Sequence, residues 1–175
     1  MKTVTLNLYQ FSELTDEAKE NAIKRLYDIN VDSDWWDNTY EDAAQINLKI
    51  KGFDIDRGSY VNAEFIESAN NTAELIIMNH GESCETYKTA KSFLQDYNEL
   101  VAKYSDGVKT DRVTEDNEYD FDNEADDLEN DFLQSISEDY RIILSNEYDY
   151  LTSEKSIIET IEANEYDFTE YGQLK

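Results

Sequence analysis

Ile46-Asn-Leu-Lys-Ile-Lys-Gly-Phe-Asp-Ile-Asp-Arg-Gly-Ser-Tyr-Val-Asn-Ala-Glu-Phe65 decides the fold class. Ile46, Leu48 and Ile50 alternate with polar residues, and Gly52 interrupts before Phe53 and Ile55 resume. Asp56-Arg57-Gly58 then offers a turn ahead of Val61, Ala63 and Phe65. Period-2 alternation on both sides of a turn predicts antiparallel strands with one buried face. Helical patterns flank them. Thr15 is placed to cap a helix running to about Asp28, with Asp16 and Glu17 at its positive end and Ala18, Ala22, Ile23 and Leu26 on one face. Asp32 or Ser33 is placed to cap a second, in which Trp36, Tyr40, Ala43 and Ala44 recur at helical spacing up to Gln45.

Residues 3 to 9 alternate as well, through Val4, Leu6 and Leu8, and read as a further strand. Thr72 to Met78 fits a short helix or a buried strand, with helix preferred. Glu85 to Tyr104 puts Tyr87, Ala90, Phe93, Leu94, Tyr97, Leu100 and Val101 on one helical face. The acidic stretch at 105–120 reads as a linker or mobile loop, followed by a long helix from about Asn123 to Asn146 and another begun by Ser153. Tyr166 to Tyr171 is expected to return as an edge strand. The fold class is α+β in a single domain, 1–175: a mixed half, 1–80, with a sheet from residues 3–9, 46–55 and 59–66, and a mainly helical acidic half, 81–175. Asn-Glu-Tyr-Asp followed by an aromatic occurs at 117–121, 146–150 and 164–168, but the unequal intervals argue against a solenoid.

Charge narrows the function. Against 15 basic side chains stand 41 acidic ones, a net charge of -26, so direct DNA or RNA binding, which needs a basic face, is not expected. No apolar run approaches the roughly 20 residues of a membrane span, and Met1-Lys2-Thr3 leads into no signal core. A soluble protein of the cytoplasm is expected. One Cys and one His furnish neither an internal disulfide nor a structural zinc site. The 22 aromatic residues (13 Tyr, 7 Phe, 2 Trp) argue for a folded chain despite the charge.

The acidity concentrates C-terminally: residues 111–175 hold 21 acidic and 4 basic side chains, net -17. On the long helix, Ala125, Leu128, Phe132, Ile136, Tyr140 and Ile143 share one face, while Glu124, Asp127, Asp131 and Glu138 project together from another. Like charges at this spacing cost helix stability, so a carboxylate stripe without lysines points to function, as an imitation of a line of phosphates. With Asp120, Asp122 and Tyr119 just before it and Trp35 as an aromatic anchor, these are the expected partner-binding residues. Exposed Tyr119, Tyr148 or Tyr150 is suited to stack on arginine.

Competing chemistries fit less well. Asp54-x-Asp56 opens like a calcium loop, but Gly58 falls one position early and Phe65 stands where a bidentate Glu is needed. His80 and Cys84 are four residues apart, but Gly81 interrupts any helix between them and no orienting third group or oxyanion hole is identified, so a turn histidine and a partly buried cysteine are expected rather than a nucleophile pair. No Gly-rich phosphate loop or nucleophile elbow is present. No enzyme, metal or cofactor is expected.

Tyr-Gln-Phe-Ser-Glu-Leu-Thr-Asp-Glu-Ala-Lys at 9–19, Gly-Phe-Asp-Ile-Asp-Arg-Gly at 52–58, Cys-Glu-Thr-Tyr-Lys-Thr-Ala-Lys at 84–91 and Glu-Ala-Asn-Glu-Tyr-Asp-Phe-Thr at 162–169 resemble stretches of small proteins from bacteriophages and other mobile elements, some labelled antitoxins. In size and acidity the chain also resembles phage anti-defence proteins, including DNA mimics that inhibit CRISPR nucleases or restriction enzymes. The resemblance implies a phage setting and a host nucleic-acid-binding defence protein as partner in the bacterial cytoplasm. An antitoxin or regulatory protein that neutralises its partner through an apolar interface is the alternative.

Overall fold

The computed structural model describes residues 6–105 and 118–175. The chain is α+β, with helices and two small antiparallel sheets. In order come β1 (Tyr9–Gln10), a 3-10 turn (Phe11–Glu13), α1 (Asp16–Arg25), α2 (Asp37–Gln45), β2 (Leu48–Asp54), β3 (Tyr60–Phe65), α3 (Ala69–Asn79), α4 (Glu85–Tyr104), α5 (Glu118–Leu151), α6 (Glu154–Ala163) and β4 (Asp167–Phe168). They gather into two compact units, Met1–Trp35 with Ser145–Lys175, and Trp36–Leu144.

Within the second unit the quoted stretch forms the β2–β3 hairpin. Leu48 faces Phe65, Ile50 faces Ala63 and Phe53 faces Val61, although Ile50 and Phe53 are three apart. Lys51 is the extra residue of a bulge, and the bulge returns Phe53 to the face that Ile50 occupies. Across the other face Glu64 takes ion pairs from both Lys49 and Lys51. At the turn Asp54 Oδ1 accepts the Asp56 N–H at 2.7 Å, so this carboxylate closes a loop. Ser68 caps α3, whose Ala69, Thr72, Ala73 and Ile76 are buried at helical spacing. Phe132 of α5 lies between the Phe93 ring at 4.4 Å and the Phe65 ring at 5.6 Å, stacked on both. That sandwich joins α4, α5 and the hairpin around a core including Ile46, Leu48, Ile76, Ile136 and Tyr140.

In the first unit Thr15 Oγ1 accepts the Ala18 N–H as the N-cap of α1, and Ser153 Oγ does the same for Ser156 in α6. Phe11, Leu14, Ala18, Ala22, Ile157, Ile161 and Phe168 make its core. Asn30 donates to the Leu151 carbonyl and the Ser156 hydroxyl and accepts from the Thr160 hydroxyl, so one amide ties the turn after α1 to α6. Gly172 has φ +74, and a Cβ there would lie 2.1 Å from the Ala18 carbonyl oxygen. No side chain fits between the C-terminal turn and the α1 backbone. Gly172→Ala is therefore expected to lift this turn off α1, lowering stability by about 1–3 kcal/mol. A thermal melt with hydrogen exchange at Thr169 to Gln173 checks it.

Several sequence expectations need correction. The strand read at 3–9 reduces to Tyr9–Gln10: residues 6–8 have no regular structure and 3–5 lie outside the described residues. That strand does not join the hairpin. It pairs Tyr9 with Phe168 in a sheet of its own, because the expected C-terminal edge strand supplies the partner. Helix α1 stops at Arg25, and α2 starts at Asp37, capped at Trp36 rather than Asp32 or Ser33, since residues 32–36 turn and the Trp36 ring docks on Phe53 at 5.7 Å. The loop expected at 105–120 falls mainly on 106–117, outside the described residues, and Glu118 to Asp120 already belong to α5. In α5 Ile143 is exposed and Leu144 is buried, because the packed ridge advances by four from Phe132 through Ile136 and Tyr140.

Candidate functional site

Helix α5 positions seven of the eight expected partner-binding residues. Tyr119, Asp120 and Asp122 lie in its first turns, exposed, with Tyr119 79% accessible. Acidic residues in a first helical turn also complement the helix dipole. Further along, the four stripe residues are not equivalent. Lys103 Nζ reaches both Glu124 oxygens, at 2.6 and 2.7 Å, and the Tyr104 hydroxyl donates to Oε1 at 2.7 Å. The ammonium first, then the hydroxyl, hold the Glu124 carboxyl below the usual range. Glu124 is thus a clasp between α4 and α5. Glu138 accepts from Arg141 through two nitrogens, at 2.6 and 2.7 Å, which lowers its pKa too, and Arg141 also reaches the Ser59 hydroxyl. The expected stripe without cationic partners is corrected at these two positions.

Asp127 and Asp131 remain exposed and without a cation partner among the described residues. They border two hollows of about 300 and 540 Å³ between α4 and α5, which share Asp96 and Leu128 and so form one groove. Its opposite wall carries Asp96 and Glu99 of α4, both exposed. Phe93, Leu100 and Phe132, all buried, form the floor. Among the described residues, five carboxylates (Asp96, Glu99, Glu124, Asp127 and Asp131) therefore line this groove and Lys103 is its single cation. The reading of α5 alone missed Asp96 and Glu99. Their signal was the flank of the α4 apolar stripe, where 92, 96, 99 and 103 recur at helical spacing. Trp35, the eighth residue, belongs to the other compact unit, where its half-buried ring packs against Tyr148 at 5.6 Å.

Beside the α4 start, Asp139 accepts the Thr89 hydroxyl at 2.7 Å. Burial, with Glu85 and Glu138 nearby, raises its pKa against the pull of that hydrogen bond. A carboxylate whose folded pKa is raised penalises the folded state once it ionises, so the penalty is absent at low pH and grows as pH rises through the raised pKa. Asp139→Asn keeps an acceptor for Thr89. It is expected to stabilise the protein near neutrality by a few tenths of a kcal/mol, after screening at this part-exposed position. The gain should shrink as pH falls through the raised pKa and be gone below the ordinary aspartic-acid range, where both folded and unfolded chains carry the proton; melts near neutrality and in acid check this.

A part-buried chain of polar groups lies in the same unit. The Tyr140 hydroxyl donates to Asp42 Oδ2 at 2.6 Å, Asp42 Oδ1 stands 3.6 Å from His80 Nε2, and His80 Nδ1 meets the Thr86 hydroxyl at 2.7 Å. Burial above all raises the Tyr140 pKa. Both imidazole nitrogens face groups other than Cys84, whose thiol is exposed at the start of α4, correcting the expectation of a partly buried cysteine. Among the described residues no three His, Cys, Asp or Glu side chains are gathered as a metal ion needs, and no helix is long and apolar enough to cross a membrane. No family model, curated protein or solved structure matches the chain.

Proposed function

We propose that this chain is a noncatalytic, phage-encoded anti-defence protein that acts as a DNA mimic, occupying the positively charged nucleic-acid-binding surface of a host nuclease, with a CRISPR effector as the first candidate. The observation that supports this reading is the α4–α5 groove, where Asp127 and Asp131 face Asp96 and Glu99 with no cation of their own among the described residues. Carboxylates fixed on two packed helices present charge without ordering cost. A net charge of -26 adds long-range attraction toward a basic channel. CRISPR effectors hold their duplexes in such channels and read the adjacent motif with arginines, so a fixed acidic face opposes target recognition without chemistry.

The test is competition. Purified CRISPR effectors and restriction enzymes are each given labelled target duplex before or after the protein, and DNA binding and cleavage are followed at low and high salt. Displacement of DNA that fades at high salt supports mimicry, because screening over about 8 to 10 Å weakens exposed charge pairs. Binding that persists in high salt and is lost on Trp35→Ala supports the antitoxin-like, apolar alternative. No effect on any DNA-binding enzyme removes the mimic reading.

A further inference from the structure

Leu6, Asn7 and Leu8 have the alternation of a strand, yet β1 closes its ladder on β4 only at Tyr9 and Gln10. Past Tyr9 the chain and the C-terminal tail separate around a hollow of about 380 Å³, lined by the uncharged Leu6, Asn7 and Tyr9 on one side and by tail residues on the other, where Glu170 and Lys175 carry opposite charges. Among the described residues, no backbone hydrogen bond is made by residues 6–8. Leu6 is 56% and Leu8 45% exposed, and in an extended chain the two point to the same side. Such an edge is a template for a further strand.

Charge and register identify that strand. Residues 3–12 contain no charged side chain, the longest such run in a sequence with 41 acidic residues. Two copies at net -26 repel wherever carboxylates meet, so an uncharged segment is where they can approach closely. Antiparallel pairing with Asn7 on a two-fold axis sets residue 6 opposite residue 8 of the second copy, 7 opposite 7 and 8 opposite 6. Each leucine then faces a leucine, and the contact is self-complementary. The geometry points to a homodimer in which Leu6 to Leu8 of two copies of this chain pair as antiparallel strands, continuing β1 beyond its two-residue ladder.

Opposed residues in such a pair have Cα atoms about 4.5–5.5 Å apart, within disulfide reach. In a Cys84→Ser background, Asn7→Cys is expected to form a covalent dimer under mild oxidation at least tenfold faster than Ser12→Cys, which lies beyond the paired residues. Sedimentation velocity of the unmodified chain should show a dimer strengthened by salt, since screening relieves repulsion between copies. Leu6→Lys with Leu8→Lys should be monomeric with an unchanged circular dichroism spectrum. Equal cross-linking of Asn7→Cys and Ser12→Cys would overturn the proposal. So would a monomer at the highest soluble concentration in high salt, including one that instead takes up a strand from another protein.

Discussion

Asp127→Lys combined with Asp131→Lys is expected, under the proposed DNA mimicry, to weaken binding to a nuclease partner at least about 100-fold, taking close charge pairs at the lower end of their measured range. The circular dichroism spectrum and melting temperature should stay near those of the parent. Both carboxylates are exposed and, among the described residues, pair with no cation, so reversing them removes attraction to a basic partner and adds repulsion without stranding a group of the chain itself. Reversal at Glu124 or Glu138 is a poorer experiment. A lysine at position 124 would stand against Lys103 and leave the Tyr104 hydroxyl without its acceptor, and one at 138 would stand against Arg141. Lost inhibition there would mix weaker binding with a loosened α4–α5 clasp. Asp96→Lys, from the opposite wall, should add to the loss, whereas full inhibition by the Asp127/Asp131 double variant would remove the groove as the binding surface.

Phe132→Ala is expected to cost about 3–5 kcal/mol, the usual range for truncating a buried phenylalanine. The ring is 3% exposed and stacked between Phe93 and Phe65, so its removal opens a cavity that three elements would have to collapse together to fill. Total stabilities of about 5–15 kcal/mol are typical of domains, so this one change should consume a large share and also remove the floor of the acidic groove. Urea denaturation checks it, with Phe132→Leu, which keeps more of the volume, expected to cost clearly less. A loss below about 1 kcal/mol for Phe132→Ala would mean that the stack is not central to this core.

Much of the architecture was legible because it follows from local periodicity. The α4 apolar stripe, the Ser153 cap of α6 and the alternation on both sides of Asp56-Arg57-Gly58 identified helix, helix start and hairpin, and all three stand in the structure. The site was legible only in part. Asp127 and Asp131 could be placed on one helical face from spacing alone, but the neutralising partner of Glu124 comes from Lys103, 21 residues away. Nothing in the α5 sequence announces it. Arg141 was within view at three residues from Glu138, a spacing that helices use for ion pairs, and should have been read there. Trp36 misled for another reason. Its helical spacing with Tyr40, Ala43 and Ala44 is real, but its ring contact with Phe53 holds it ahead of α2.

The phrase Asn-Glu-Tyr-Asp-aromatic separates the two kinds of information. At 146–150 it is helix within α5, and at 164–168 it is a turn, with Glu165 at φ 52, leading into β4. Identical local preferences yield different structures because at 164–168 Phe168 finds a strand partner in Tyr9 and a ring partner in Phe11, 6.1 Å away. The sequence by itself determined the charge, the alternating and helical faces and the α+β class, since each is a property of composition or of neighbours a few positions apart. Tertiary structure alone decided that β1 pairs with β4 rather than with the hairpin and that Lys103 neutralises Glu124, because those outcomes depend on groups that only folding brings within a few ångströms.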